Sequence, residues 1–173
     1  MKEQPAEIYL FFDFDFTKES NRIDCKARLE HFNILSKMLK IFSNPTENGL
    51  LFINYPQSES FEDINDYKLF LSSTHRIIND DGEKIEYKGI NRMKDYWEKD
   101  KDFIHDKMVV PHLIKANIIC NEKESKPEKY DDIEQMIILS KQLHEIFKNE
   151  MHCYILNGFP LFLFWFFGLK LSK

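Results

Sequence analysis

The segment Ile8-Tyr9-Leu10-Phe11-Phe12-Asp13-Phe14-Asp15 constrains the fold of this chain more than any other stretch. A short apolar run, with Pro5 before it and polar residues after, reads as a buried strand over residues 7–15. Residues i and i+2 of a strand share a face. Asp13 and Asp15 are therefore expected to project together from its carboxyl end, the edge at which open α/β sheets hold ligands. Two converging carboxylates repel one another unless a cation lies between them. Mg²⁺ suits such a place, because it takes oxygen ligands and often only one or two carboxylates. The plainer alternative is that one aspartate caps the next turn while the other is solvated.

The rest of the chain supplies partners for such a strand. Residues 26–42 carry helical spacing, with Leu29, Phe32, Leu35, Met38, Leu39 and Phe42 on one face. Turn chemistry over residues 43–49 ends that helix. A second apolar strand over 50–54 is closed by Tyr55-Pro56, and residues 61–71 read as an acidic helix. Strand, helix, strand, helix is the alternation of a parallel, helix-covered sheet. Further on, Asn79-Asp80-Asp81-Gly82 is a hairpin signal within residues 77–87. A helix is expected over 103–119, with Pro111 as its start or a kink, and an exposed loop over 121–130. Another helix, capped by Asp131 or Asp132, should run to about Lys148 with Ile133, Met136, Ile137, Leu143, Ile146 and Phe147 inward. Residues 154–156 read as a short strand and 160–167 as a terminal helix stopped by Gly168. The fold class expected is α/β: three layers, a mostly parallel sheet covered by helices, and a helical C-terminal half, in a single domain over residues 1–173.

Composition narrows the functions. With 43% hydrophobic and 31% charged residues the chain can bury a core, and a formal net charge of −5 excludes a uniformly basic nucleic-acid binder. Metal-mediated handling of nucleic acid stays open. Cys25, Cys120 and Cys153 are widely spaced and form no CxxC pair, so a zinc cluster has no support and free, mostly buried thiols in a reducing cytoplasm are expected. Lys94, Lys99, Lys101, Lys107 and Lys115 make the middle loosely basic, which ordinary solubility explains.

Tyr55-Pro56-Gln57-Ser58-Glu59-Ser60 follows the second strand directly and would open at the same edge as the aspartates. Glu59 is thus a candidate third carboxylate, holding the metal or orienting a metal-bound water. The competing account is a helix N-terminus, with Ser58 capping and Glu59 complementing the dipole. Asp13-Phe14-Asp15-Phe16-Thr17 also resembles the DxDx(T/V) opening of haloacid-dehalogenase phosphatases. That resemblance implies Asp13 as nucleophile and Asp15 as acid/base. The later Ser or Thr that family needs would fall on Ser72, Ser73 or Thr74 and its acidic pair on Asp80-Asp81, too close together for the strands and helix between. His31, His75, His105, His112, His144 and His152 form no HExxH, and His144 and His152 are read as a solvated helix face and a turn. No GxxxxGK[ST], GxGxxG or GxSxG occurs. The charge-free, Phe-rich run over 153–169 is interrupted by Asn157, Gly158 and Pro160, so a buried closing helix, or one docking on a partner or a second copy, is expected before a membrane anchor.

Taken together, the strand ending in Asp13-Phe14-Asp15, the turn Thr46-Glu47-Asn48-Gly49, the Tyr55-Pro56…Glu59 segment and the tail Ile155-Leu156-Asn157-Gly158-Phe159-Pro160 resemble TOPRIM domains. The likeness is to small bacterial TOPRIM-like proteins near phage-defence genes and to OLD-type nucleases. It implies Mg²⁺- or Mn²⁺-dependent phosphodiester cleavage, with Asp13 and Asp15 as metal ligands and Glu59 assisting. Two departures stand out. TOPRIM domains carry a glutamate on an earlier strand, whereas here only Glu3 and Glu7 precede Asp13, so the domain is truncated or divergent, or a partner supplies the glutamate. Phe16 stands where a small residue would let a phosphate approach. The alternative the departures raise is a non-catalytic interaction protein that keeps the fold and docks through the Phe-rich tail.

Overall fold

The computed structural model describes residues 6–14, 25–77, 79, 81, 83, 85–89, 91–149 and 151–168, without the side chains of 25–28. The central strand is β3 (Gly49–Asn54), every residue of which is buried. Its sequence, Gly-Leu-Leu-Phe-Ile-Asn, has no polar side chain before the last position, as a strand covered on both faces requires. β1 (Tyr9–Asp13) lies parallel to it, with Tyr9 opposite Leu50 and Asp13 opposite Asn54. β2 (Ser43–Asn44) pairs antiparallel on the other side, giving the order β1-β3-β2. α1 (Cys25–Ile41) links β1 to β2 and packs Leu35 and Leu39 into the core.

A second, two-stranded sheet pairs β4 (Thr74–Arg76) antiparallel with β5 (His152–Tyr154). The two sheets meet at one bridge, where Tyr55 and Leu156 exchange backbone bonds of 2.6 and 2.8 Å. The helices are α2 (Tyr67–Ser72), α3 (Lys101–Ile104), α4 (Val110–Asn121), α5 (Gln135–Lys148) and α6 (Gly158–Phe167). The architecture is mixed α/β.

Several expectations are corrected. β1 is an edge strand in the three-stranded sheet, and Phe11 and Phe12 remain 44% and 42% exposed. Apolar composition alone does not tell a central strand from an edge strand whose face is half-covered by one helix. Leu29, assigned inward on α1, is 46% exposed. The acidic helix over 61–71 is instead a 3₁₀ turn (Ser58–Glu62) followed by the short α2, which starts at the Asp66 cap. On α5 the inward face is Ile138, Leu139, Gln142 and Ile146, while Phe147 is 47% exposed. Its cap position is Glu134, and Asp131 and Asp132 belong to a preceding 3₁₀ turn. The short strand lies at His152–Tyr154, two residues before its expected place, which puts His152 in a strand. His152 Nδ1 sits 2.9 Å from Thr74 Oγ1 across the β4–β5 pair.

Other expectations hold. α6 runs from Gly158 to Phe167 and ends at Gly168. Ile85 N–H donates to Ile77 and Asn79 N–H to Glu83, which closes the expected hairpin turn; Asp80 and Gly82 lie outside the described residues. Pro111 lies in the first turn of α4, as expected of a start, and α3 continues into α4 through a π turn (His105–Val109). Pro111 lacks the N–H that would bond one turn back, and its ring crowds the carbonyl there. A widened turn relieves both. No helix among the described residues is long and apolar enough to cross a membrane.

Candidate active-site cleft at the carboxyl edge of the sheet

An open cleft of about 630 Å³ lies where β1 and β3 end, lined by Phe11, Asn54, Ser58, Glu59, Phe61, Glu62, Tyr96, Ile104, Asn157 and Phe159. Its position follows from the parallel register. β1 and β3 finish together at Asp13 and Asn54, and the chain leaves β3 through Tyr55-Pro56 into the turn that bears Ser58 and Glu59. Phe11 and Asp13 share a face of β1, and Phe11 forms part of the cleft wall. Half-buried Asp13 accepts a 2.9 Å bond at Oδ1 from Asn54 Nδ2. Asn54 Oδ1 in turn accepts from Gly158 N–H at 2.9 Å, so one buried amide ties the end of β1 to the start of α6.

Asn157, 2% exposed, organises the opposite wall. Its Oδ1 caps α6 through Phe159 N–H (2.9 Å), and its Nδ2 donates to Ser58 O (2.9 Å) and Ser60 Oγ (3.1 Å). Its own N–H donates to His112 Nδ1 at 3.3 Å. That bond requires an unprotonated Nδ1, so the Nε2 of His112 carries the proton and faces Phe61 O at 3.5 Å. Burial, reinforced by neighbouring Lys115, pulls the imidazole pKa down to about 3. His112 is thus a neutral strut behind the cleft.

The cleft is acidic. Neither lysine, arginine nor histidine is among its described lining residues. Glu62 Oε2 is held by Arg92 at 2.5 Å (Nη2) and 3.0 Å (Nε). Glu59 Oε2 accepts only a long 3.3 Å bond from Ser58 Oγ. The α6 N-terminus adds no open donor, since Gly158 and Phe159 N–H are taken and Pro160 has none. Among the described lining residues, Glu59 thus carries a carboxylate without an ion-pair partner, which favours a cation over an anion at this edge.

The structure brings Asp13 and Glu59 to the same edge, one bonded to cleft residue Asn54 and the other in the cleft wall. Asp15, Phe16 and Thr17 lie outside the described residues. Ser58 does not cap: the cap position is Gln57, which makes no side-chain cap bond. Among the described residues no group of three or more His, Cys, Asp or Glu side chains is placed to hold a metal. Of the residues considered for a phosphatase, Thr74 begins β4 in the other sheet, and Ser73 serves a structural role under Lys115. Lys115, counted with the basic middle, is fully buried. Sequence reasoning passed over Asn54, His112 and Asn157. A signal existed for two of them: Asn54 is the only polar residue of its strand, and Asn157 precedes a Gly-x-Pro helix start.

No family model, curated protein or solved structure gives a significant match to this chain.

Proposed function

We propose that this chain is a Mg²⁺- or Mn²⁺-dependent phosphodiester-cleaving protein, or a subunit of one, of TOPRIM-like design. The observation that supports the reading is the shared edge: parallel β1 and β3 end together at Asp13 and Asn54, beside a cleft that carries Glu59. Asp13 and Glu59 at one edge suit a cation with few protein ligands and retained waters. Asp13 would bind the metal through an oxygen, and Asn54 fixes the carboxylate's orientation from behind. Asp15 belongs to the same reading as a second ligand. Glu59, loosely held by Ser58, is free to turn toward a water and accept its proton. The bound metal would polarise the phosphoryl oxygen and offset its charge in an otherwise acidic cleft. Calorimetric titration of Mg²⁺ and Mn²⁺ tests this. Wild type should bind, and Asp13→Asn should weaken binding at least tenfold and abolish nucleic-acid cleavage. Absence of metal binding in wild type sinks the proposal.

A second reading is a non-catalytic interaction protein. It is favoured by the exposed aromatics at the end of α6, where Phe166 and Phe167 are 47% and 46% exposed. Under it, Asp13→Asn leaves partner binding intact.

A further inference from the structure

We infer that the cleft takes an unpaired nucleobase, so that the nucleic acid recognised at this edge is single-stranded; the inference rests on the phosphodiester reading above. Phe61 meets Tyr96 at 5.8 Å and 78°, and Phe159 at 5.8 Å and 84°. The three rings therefore form a corner and do not stack upon one another. Phe159 and Phe11, their centroids 6.2 Å apart, keep 40% and 44% of their surface exposed beside that corner. Aromatic surface left open in a recess is what a flat π-system occupies, and every base offers one.

The polar atoms narrow the guest. The side amides of Asn54 and Asn157 and the Glu62 carboxylate are committed to the protein, whereas Ser58 Oγ and the loosely held Glu59 present acceptors beside the aromatic corner. Acceptors match the exocyclic amino groups of adenine, cytosine and guanine, and thymine has no such group. A paired base cannot enter, because its faces and its Watson–Crick edge are already occupied in the duplex. Sequence-specific RNA-binding proteins meet the same constraint by taking splayed, single-stranded bases. The phosphates stay outside the recess, since no cationic side chain is among its described lining residues and the N–H groups of Gly158 and Phe159 are taken. Base in the aromatic corner and phosphate at the metal edge are separate halves of one site.

The test uses the full chain and a short single-stranded deoxyoligonucleotide containing 2-aminopurine, with Ca²⁺ in place of Mg²⁺. Binding should quench the 2-aminopurine by stacking. An adenine- or cytosine-rich strand should bind more tightly than a thymine strand, and the matching duplex at least tenfold more weakly. Phe159→Ala should weaken binding about tenfold while calorimetric metal binding is unchanged. Phe159→Leu, which keeps apolar bulk, should fold and still lose the quench. Equal binding of duplex and single strand overturns the inference. So does undiminished quenching in both Phe159 variants, or metal binding with no oligonucleotide binding. Stacking of single strands without any metal binding supports the base site and rejects the metal reading, so the two failures are distinct.

Discussion

Lys115 shows what it takes to bury a charged side chain. Its Nζ donates to Phe70 O at 2.6 Å, Ser73 O at 2.8 Å and Ser73 Oγ at 3.2 Å, which uses all three ammonium hydrogens. The carbonyls belong to the C-terminal end of α2, where the helix dipole is negative. Nζ also lies 4.4 Å from the Phe70 ring centre. Burial still lowers the pKa to about 7. A folded value below the unfolded one means that the unfolded chain holds the extra proton above pH 7, so stability rises with pH from that point. Cys153 acts oppositely, but only above about pH 9, because burial pushes its thiol up to about 12. Urea unfolding should therefore show wild type more stable at pH 9 than at pH 7, on the order of 1–2 kcal/mol. Lys115→Met should flatten that difference, and an unchanged slope in the variant would refute the assignment.

At the scale of elements, α5 is fastened by two glutamines seven residues apart on one face. Gln135 donates from Nε2 to Leu51 O (2.5 Å) and accepts at Oε1 from Ile53 N–H (3.3 Å). Gln142 does the same for Tyr154, with bonds of 3.1 and 2.7 Å. Each side-chain amide replaces a missing neighbouring strand along β3 or β5, which answers the need of buried backbone for partners. Replacing one amide with an apolar group of similar length strands both backbone groups. Gln142→Met should cost about 2–3 kcal/mol in chemical denaturation. A loss below about 0.5 kcal/mol would mean that the strand edge is satisfied some other way.

Across the whole molecule, the cleft gathers residues from Phe11 to Phe159, and α6 closes it from the far end of the chain. α6 sits so close to β3 that a Cβ on Gly158 would lie 3.0 Å from Ile53 O and Phe52 Cβ and 3.1 Å from Ile53 N. Gly158→Ala should force the helix away from the sheet and cost about 1–3 kcal/mol. It should also lengthen the Gly158–Asn54–Asp13 chain of bonds. A thermal melt measures the first effect and metal titration the second; a variant unchanged in both would show that α6 does not position Asp13.

Local pattern was enough for much of this architecture. The apolar runs over 8–12 and 50–53 made strands, heptad-like spacing made α1, and Pro160 and Gly168 marked α6, because these choices depend on neighbours within a turn or two. The strand-end position of Asp13 was legible for the same reason. Tertiary structure alone decided that β1 lies at an edge, which side of α5 turns inward, and that Lys115 is buried while Phe147 is not. It also decided that Glu59 shares its cleft with Phe11 and Phe159. Those outcomes depend on which distant surface covers each residue, and hydrophobic periodicity specifies a face without specifying what packs upon it.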